Sequence, residues 1–420
     1  MIVVPLAKVL TESWFRIPLS KGIAYNSSAI AKTLAAKKTV KNWLKTTSKA
    51  TGKVNKVLDD AKQTVASSLG IGDPLKILPF WGYGTPNWIR VMGRVLEDEG
   101  IESLEEGAPV YKNVQNMYRR FETDEVPNAQ VEMRMGDVTQ VLEANSEGIF
   151  SEKIKLDTPL TAEDWSQEKW CRSVELQLAE PSPRKQETVS ATGKITIVPE
   201  TANFGVISDI DDTIVYTAAD RPVKMVKIAY LGNEHSRLPF EGVDEYYNAL
   251  QAGASGKAGN PIFYVSSSPL NMYDLFAKFM AINDIPNGPI LLRDIELSPA
   301  NLLSFEHGKH KREQIDPLFS NFPDLSFILI GDSGQQDPAI YQKIVEDYPN
   351  RVLAVYIRNA QTTEEKRREV VAIAEEIRAA GVDCLLFSET RDVVKHSYEQ
   401  GWISEMLKFS VKDEDWDKTD

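Results

Sequence analysis

The chain has 420 residues, enough for two or three domains, and its 42% hydrophobic and 26% charged residues are typical of a globular protein. A formal net charge of −13 disfavours nucleic acid as a partner. Two cysteines make no disulfide framework, and no apolar run reaches the roughly 18 residues of a membrane span. We therefore expect a cytoplasmic protein that can also associate peripherally with a membrane surface.

The charge is distributed unevenly along the chain. Residues 1–70 carry twelve Lys and Arg against three acidic residues, a net charge of +9, so the remainder carries −22. Apolar residues recur at helical spacing between Ser28 and Ser67, and Trp43 lies among them. Residues 1–75 are thus predicted to be a basic amphipathic helical segment. Such a segment either binds an anionic phospholipid surface or packs as an arm on its own acidic protein, and both interpretations remain open.

The middle segment, residues 76–198, has the pattern of a β domain. Short alternating stretches are separated by turn signals such as Gly136-Asp137, which favours a small β-sandwich with a helix near 111–121. The predicted strands are Trp88–Leu96, Ala129–Met135, Val138–Glu143, Phe150–Leu156, Val174–Leu178 and Ile195–Val198.

The third segment, residues 199–410, alternates apolar runs with helical patterns, and residues 411–420 form an acidic tail. This alternation is typical of a doubly wound α/β fold with a mostly parallel sheet. The predicted strands are Phe204–Ser208, Pro261–Val265, Ile290–Leu292, Ser326–Ile330, Val352–Ile357 and Cys384–Phe387. The predicted helices are Asp244–Gln251, Leu270–Ile282, Lys309–Phe319, Pro338–Tyr348, Glu364–Ala380 and Arg391–Gln400.

Three of these strands end in polar residues, in the segments Asp209–Thr213, Ser266–Pro269 and Gly331–Asp337. The carboxyl ends of parallel strands meet at one edge of a sheet, so we expect the three segments to form a single site. An acidic turn on the surface would be the ordinary interpretation of the first segment alone. The presence of the other two favours a functional site.

The residue types suit phosphoryl transfer. An ionised aspartate can attack phosphorus and form an aspartyl-phosphate, while Mg²⁺ screens the charge repulsion. Asp209 and Asp332, at facing strand ends, are the candidate ligands. Asp211 lies on the same side as Asp209 and can move the proton, and Ser266 can donate a hydrogen bond to a phosphoryl oxygen.

Lys309 and Lys311 lie near the start of the helix that precedes the third strand end. Lysine is unfavourable at this position because its charge opposes the helix dipole. We therefore expect one of the two lysines to neutralise negative charge in the site. The pattern does not say which one, and a solvated lysine pair is the alternative.

These motifs resemble those of the haloacid-dehalogenase phosphatase superfamily: an aspartate-rich D-x-D-x-T after a strand, a serine after the next strand, a helical lysine and G-D-S-x-x-x-D. At a finer level the chain is similar to the actin-patch phosphatidate phosphatase family over roughly residues 80–400. The segments that carry this similarity are Asp209–Ile214, Phe263–Pro269, His310-Lys311, Phe327–Asp337, Gly82–Thr85 and Gly93–Leu96.

The resemblance implies a haloacid-dehalogenase-like catalytic domain that hydrolyses phosphatidate to diacylglycerol and phosphate. It implies that Asp209 is the nucleophile, Asp211 the acid/base, Ser266 the phosphate ligand and Lys311 the neutralising cation.

The resemblance also implies Mg²⁺ as cofactor. Its ligands would be the carboxylates of Asp209 and Asp332 and the backbone carbonyl of Asp211, with Asp337 supporting the metal through water. The sequence departs from the family at Ser267, where the family often has asparagine, and at Leu270, where it often has tryptophan. These departures concern contacts to the headgroup or acyl chains of the substrate.

The spacing of the motifs bears on the substrate. Neither the gap between Thr213 and Pro261 nor the gap between Pro269 and Phe327 leaves room for a large cap domain. A thinly capped site suits a phosphoester presented at a surface, such as a lipid headgroup or a phosphoprotein. The alternatives to a phosphatidate phosphatase are a phosphatase of a soluble phosphoester or phosphoprotein, and a catalytically idle membrane-binding scaffold.

Overall fold

The strands of the chain form two sheets, and residues Leu69–Asp420 make one compact unit that contains both. The predicted N-terminal helices, the helix near 111–121, residues 215–238 and 294–306 in the two gaps between the motifs, and the acidic tail all lie outside the described residues. In this computed structural model of the chain, the described residues are 74–98, 125–161, 170–181, 188–214, 239–293, 307–360 and 363–404.

The first sheet has seven strands in the order β4-β3-β6-β7-β1-β2-β5. Apolar side chains alternate with exposed polar ones along most of these strands, as on Val174, Leu176 and Leu178 of β6, and the apolar set fills one interior. The strands are β1 Leu75–Thr85, β2 Trp88–Glu97, β3 Gln130–Met135, β4 Val138–Glu143, β5 Ile149–Lys155, β6 Cys171–Glu180 and β7 Ser190–Ile197.

This arrangement corrects the prediction of a β-sandwich. A sandwich needs two facing sheets, but β1 pairs with β7 in parallel and so joins the two halves into one continuous sheet. The edge strands β4 and β5 contact each other, so the sheet curls almost into a barrel around its core. The strand alternation that the sequence shows is the same in both architectures.

Strand β1 was missed by the sequence analysis. It contains Pro79, which lowers strand propensity, and its register with β2 shifts between Phe80 and Tyr83. At this shift the backbone N–H of Trp81 donates to the hydroxyl of Tyr273 at 2.5 Å, and Tyr273 belongs to the hydrophobic core around the second sheet. Tyr83 lies edge-on to Phe263 of that sheet, with ring centroids 5.5 Å apart.

The second sheet has six parallel strands in the order β10-β9-β8-β11-β12-β13. Every residue of β8 and β11 is buried, as expected for central strands covered on both faces. This confirms the parallel α/β prediction. The strands are β8 Gly205–Ser208, β9 Ile262–Pro269, β10 Ile290–Arg293, β11 Phe327–Asp332, β12 Val352–Arg358 and β13 Asp383–Phe387.

Helices connect successive strands of the second sheet and lie close to the predicted positions. None of the described helices has the length and apolarity needed to cross a membrane. The helices are α1 Val243–Ala252, α2 Tyr273–Ile282, α3 His307–Asn321, α4 Asp337–Asp347, α5 Glu364–Ala379 and α6 Thr390–Glu399.

The buried side chain of Asn260 fixes the entry into β8. Its amide oxygen accepts hydrogen bonds from the backbone N–H groups of Asn203 (2.8 Å) and Phe204 (3.3 Å), and its amide nitrogen donates to the Leu250 carbonyl at 2.8 Å. One side chain therefore joins the start of β8 to the end of α1.

We expect Asn260→Ala to lower the free energy of unfolding by about 2–4 kcal/mol, because it leaves buried backbone groups without partners. Asn248→Ala is the control: Asn248 also bonds two carbonyls but is exposed, and its loss should cost under about 1 kcal/mol. Urea unfolding followed by circular dichroism measures both values. Equal losses would show that Asn260 does not hold the strand.

Candidate active site

The order of the parallel sheet reverses between β8 and β11, where the chain runs outward to opposite edges. This reversal opens a crevice beyond the carboxyl ends of the two strands. Asp209 directly follows β8, and its N–H donates to the Ile330 carbonyl at 2.9 Å. The hydrogen bonds between β8 and β11 therefore continue up to the crevice. Asp332 ends β11 beside it.

Lys311 of α3 lies between two of the carboxylates. Its ammonium donates to Oδ1 of Asp209 at 2.7 Å and to Oδ1 of Asp337. The exposed fractions of the three residues are only 3%, 1% and 0%. Burial alone would lower the pKa of Lys311, but the two carboxylates outweigh it and raise the pKa, so the side chain stays charged.

Asp332 has one satisfied and one unsatisfied carboxylate oxygen. Oδ1 accepts from the backbone N–H groups of Gly334 (2.6 Å) and Gln335 (3.0 Å), whereas Oδ2 is buried and has no hydrogen-bond partner. Burial and the neighbouring Asp337 raise the pKa of Asp332 to about 8. Burial also raises the pKa of Asp209 well above its ordinary value. Lys311 acts in the opposite direction, but burial and the nearby carboxylates together outweigh it.

The carboxylates of Asp209, Asp332 and Asp337 are placed as ligands for a cation. One oxygen from each lies within 4.8 Å of the other two. When all three are ionised, the single ammonium of Lys311 leaves a net charge of −2 in a buried space, which is costly without a further cation. Hard carboxylate oxygens, including the orphan Oδ2 of Asp332, suit a divalent ion such as Mg²⁺. The residues therefore fit the metal that the sequence suggested.

Asp337 lies nearer to this centre than the sequence analysis expected. It is the first residue of α4, and its Oδ2 accepts from the Asp332 N–H at 3.1 Å. Gly331 permits this approach, because a Cβ at that position would lie 2.6–2.9 Å from the Asp337 side chain. A role through water was expected, and the structure places the carboxylate itself in the cluster.

The carboxylate of Asp211 lies in a different environment. Its Oδ2 accepts hydrogen bonds from the hydroxyls of Ser266 (3.0 Å) and Ser268 (2.9 Å). The backbone carbonyl of Asp211, the expected metal ligand, accepts from the side chain of Gln335 at 3.4 Å. Asp211 and Ser266 are thus brought together as one pair.

The predicted site residues therefore fall into two neighbouring groups. Asp209, Lys311 and Asp332 meet in the carboxylate cluster, and Asp211 meets Ser266 at the end of β9. The side chain of Lys309 lies outside the described residues. Lys311 is the lysine that the structure places against the carboxylates.

Two residues beside the site were not singled out by the sequence analysis. Ser268 bonds Asp211 directly, and its spacing of two from Ser266 was the available signal. Arg358, at the end of β12, is buried and donates to the Thr213 carbonyl at 3.1 Å, which fixes the turn after β8. A charged residue ending an apolar strand was the signal there.

A parallel α/β sheet with buried carboxylates, a lysine and serine hydroxyls at its switch point has the composition of an enzyme site. Comparison with known families identifies it further: residues 204–359 match the family described as "Phosphatidate phosphatase APP1, catalytic domain". Residues 204–359 are therefore similar to the catalytic domain of this family, which confirms the resemblance inferred from the motifs in this part of the chain.

Two curated relatives are each similar to a part of the chain. "Phosphatidate phosphatase APP1" of Saccharomyces cerevisiae is 33% identical over 157 residues, which is 37% of this chain and 26% of that protein. The uncharacterized protein C29B5.04c of Schizosaccharomyces pombe is 26% identical over 161 residues, 38% of this chain and 26% of that protein. The matches therefore span about a quarter of the length of either relative.

Among solved structures, one chain of the "Structure of Pnkp1/Rnl/Hen1 complex" matches with 13% identity and a TM-score of 0.25. The match covers 50% of this chain and 56% of that one. A likeness of this size carries no argument about fold or function.

The raised pKa of Asp332 predicts a pH-dependent stability of the metal-free protein. The folded-state pKa of about 8 exceeds the ordinary 3.8, so between these values the folded state holds a proton that the unfolded state has lost. Stability in a chelator should therefore fall as the pH rises from about 5 to about 9. Asp332→Asn removes the part of this loss that Asp332 causes, and at about pH 9 the variant should be more stable than the wild type by at least about 1.4 kcal/mol, the equivalent of one pKa unit.

Melting curves in EDTA across this pH range measure the effect. Asp324→Asn, at an exposed position, is the control and should follow the wild type. If Asp332→Asn loses stability in parallel with the wild type, the buried carboxylate of Asp332 does not cause the pH dependence.

Proposed function

We propose that the protein is a Mg²⁺-dependent phosphatase that cleaves a phosphomonoester through an aspartyl-phosphate, with phosphatidate as substrate and diacylglycerol and phosphate as products. The observation that carries the proposal is the buried constellation of Asp209, Lys311 and Asp332 next to the Asp211–Ser266 pair. The substrate is supported by the catalytic-domain match and by the name of the yeast relative.

In the first step, a carboxylate oxygen of Asp209 attacks phosphorus. The bond from phosphorus to the glyceryl oxygen breaks, and Asp211 gives its proton to that oxygen, so diacylglycerol leaves as a neutral alcohol. Ser266 donates to a phosphoryl oxygen. The Lys311 ammonium lies 2.7 Å from Asp209 and balances charge there.

In the second step, the Asp211 carboxylate takes a proton from water. The water oxygen attacks phosphorus and the bond to Asp209 breaks, which releases inorganic phosphate and restores both aspartates. Asp209 and Asp211 are close in sequence but differ in surroundings, since one faces a lysine and the other two serines. Such a difference separates a nucleophile from an acid/base.

The metal would be held by the carboxylates of Asp209, Asp332 and Asp337. When bound, Mg²⁺ supplies positive charge that screens the approach of a carboxylate to an anionic phosphate. The backbone carbonyl of Asp211 is the further ligand that the family resemblance implies.

We also propose that the parallel sheet is haloacid-dehalogenase-like. Support comes from the order β10-β9-β8-β11-β12-β13 and from the places of the motifs, which follow β8, end β9 and end β11. A helix that precedes β11 supplies the lysine.

The decisive variant is Asp209→Asn, which keeps the size of the side chain but removes the nucleophilic carboxylate. We expect Mg²⁺-dependent phosphate release to fall by at least about a thousand-fold. Asp324→Asn, an exposed aspartate away from the sheet reversal, is the control and should retain activity. Retention of activity by Asp209→Asn would rule out the aspartyl-phosphate mechanism.

The substrate is tested by comparing turnover of phosphatidate in mixed micelles with that of soluble phosphoesters and a phosphopeptide. We expect phosphatidate to give the highest kcat/KM. Preference for a soluble compound would contradict phosphatidate as the substrate and support a phosphatase of a soluble phosphoester or phosphoprotein. If no compound is turned over, the catalytically idle membrane-binding scaffold is the interpretation that remains.

For the partner, we propose an anionic phospholipid surface at a cytoplasmic membrane face, contacted by the basic segment at residues 1–70. Deletion of these residues should weaken binding to phosphatidate-containing vesicles by about ten-fold or more at low salt and much less at high salt, because salt screens charge attraction. Co-sedimentation measures the binding. Unchanged binding would favour the interpretation that this segment packs on the protein itself.

A further inference from the structure

Three side chains form a closed group at the end of β9. The hydroxyls of Ser266 and Ser268 both donate to Oδ2 of Asp211, at 3.0 Å and 2.9 Å. The backbone N–H of Ser268 donates in turn to the Ser266 hydroxyl at 3.0 Å. Within the described part of the chain, every hydrogen bond to the Asp211 carboxylate falls on this one oxygen.

The length of β9 explains why the two serines share a target. The strand continues to Pro269, four residues beyond the predicted end at Val265. Residues two apart on a strand point to the same side, so Ser266 and Ser268 face Asp211 together while Ser267 points away from them. The hydroxyl of Ser267 accordingly makes none of these bonds.

The two serines cannot have the same task during a reaction. A hydroxyl carries one proton and can donate only one full hydrogen bond at a time. If Ser266 donates to a phosphoryl oxygen, its bond to Asp211 is lost. Ser268 then remains as the hydroxyl that holds Oδ2 of Asp211.

We propose that Ser268 is a positioning residue for proton transfer by Asp211, an inference that rests on the function proposed above. It fixes Oδ2 and leaves Oδ1 to carry the proton to the glyceryl oxygen while the bond from Asp209 to phosphorus forms and the bond to that oxygen breaks. Ser268 acts through Asp211 and does not touch the reacting atoms.

The test uses two substrates that differ in their need for a proton. Phosphatidate releases an alkoxide that must be protonated, whereas p-nitrophenyl phosphate releases a stable phenolate. We expect Ser268→Ala to lower kcat/KM for phosphatidate by about 10- to 100-fold, a part of what a general acid contributes. For p-nitrophenyl phosphate the change should stay within about 3-fold, because its leaving group needs no acid.

Two further variants complete the design with the full-length protein and Mg²⁺. Ser268→Thr keeps the hydroxyl and should recover phosphatidate turnover to within about 3-fold of the wild type. Ser320→Ala is the matched control: Ser320 is an exposed serine whose hydroxyl bonds the Asp316 carbonyl at 3.1 Å, and its loss should change neither substrate.

A difference between the substrates separates positioning from folding, since a partly unfolded variant loses both activities in proportion. Equal losses on the two substrates, unchanged activity on both, or a Thr variant as weak as the Ala variant would each overturn the role of Ser268.

If Asp209→Asn stays active or the wild type hydrolyses neither substrate, the proposed function itself fails and this inference fails with it. An active wild type with an inactive Asp209→Asn and a fully active Ser268→Ala overturns the Ser268 inference alone.

Discussion

The site depends on one buried lysine, Lys311, whose ammonium forms ion pairs with the carboxylates of Asp209 and Asp337. Burying carboxylates close together is unfavourable, and the raised pKa values of Asp209 and Asp332 are the direct expression of that cost. Lys311 offsets part of the cost and orients Asp209 at the same time. The buried Oδ2 of Asp332 has no hydrogen-bond partner, so part of the negative charge stays uncompensated. We therefore place the proposed cation next to this oxygen.

Around this lysine the fold divides the chemistry between two groups of strand ends. The ends of β8 and β11 hold the carboxylate cluster, while the end of β9 holds Asp211 through serine hydroxyls. The turn after β8 carries both aspartates. Arg358 fixes that turn through the Thr213 carbonyl, so the two environments stay apart although the two aspartates are only two positions apart. This separation lets one carboxylate act as nucleophile and the other as acid/base in the mechanism that we propose.

Much of the second sheet could be predicted because its strands are continuous apolar runs that only a doubly covered parallel sheet accommodates. The first sheet could not be predicted to the same depth. Its alternating strands were found, but alternation does not specify whether the edges face another sheet or curl toward each other. The parallel pairing of β1 with β7 decided this, and β1 itself was hidden by Pro79 and its shifted register.

The sequence by itself determined which chemical groups exist and at which strand ends they stand, because motif spacing and apolar runs are local properties. Only the tertiary structure decided that Lys311 reaches Asp209 across 102 positions of the chain, that Asp337 enters the carboxylate cluster directly, and that Ser268 shares Asp211 with Ser266. These contacts join segments far apart in the chain. The packing of α3 and α4 and the extra length of β9 set their distances, and no local pattern encodes them.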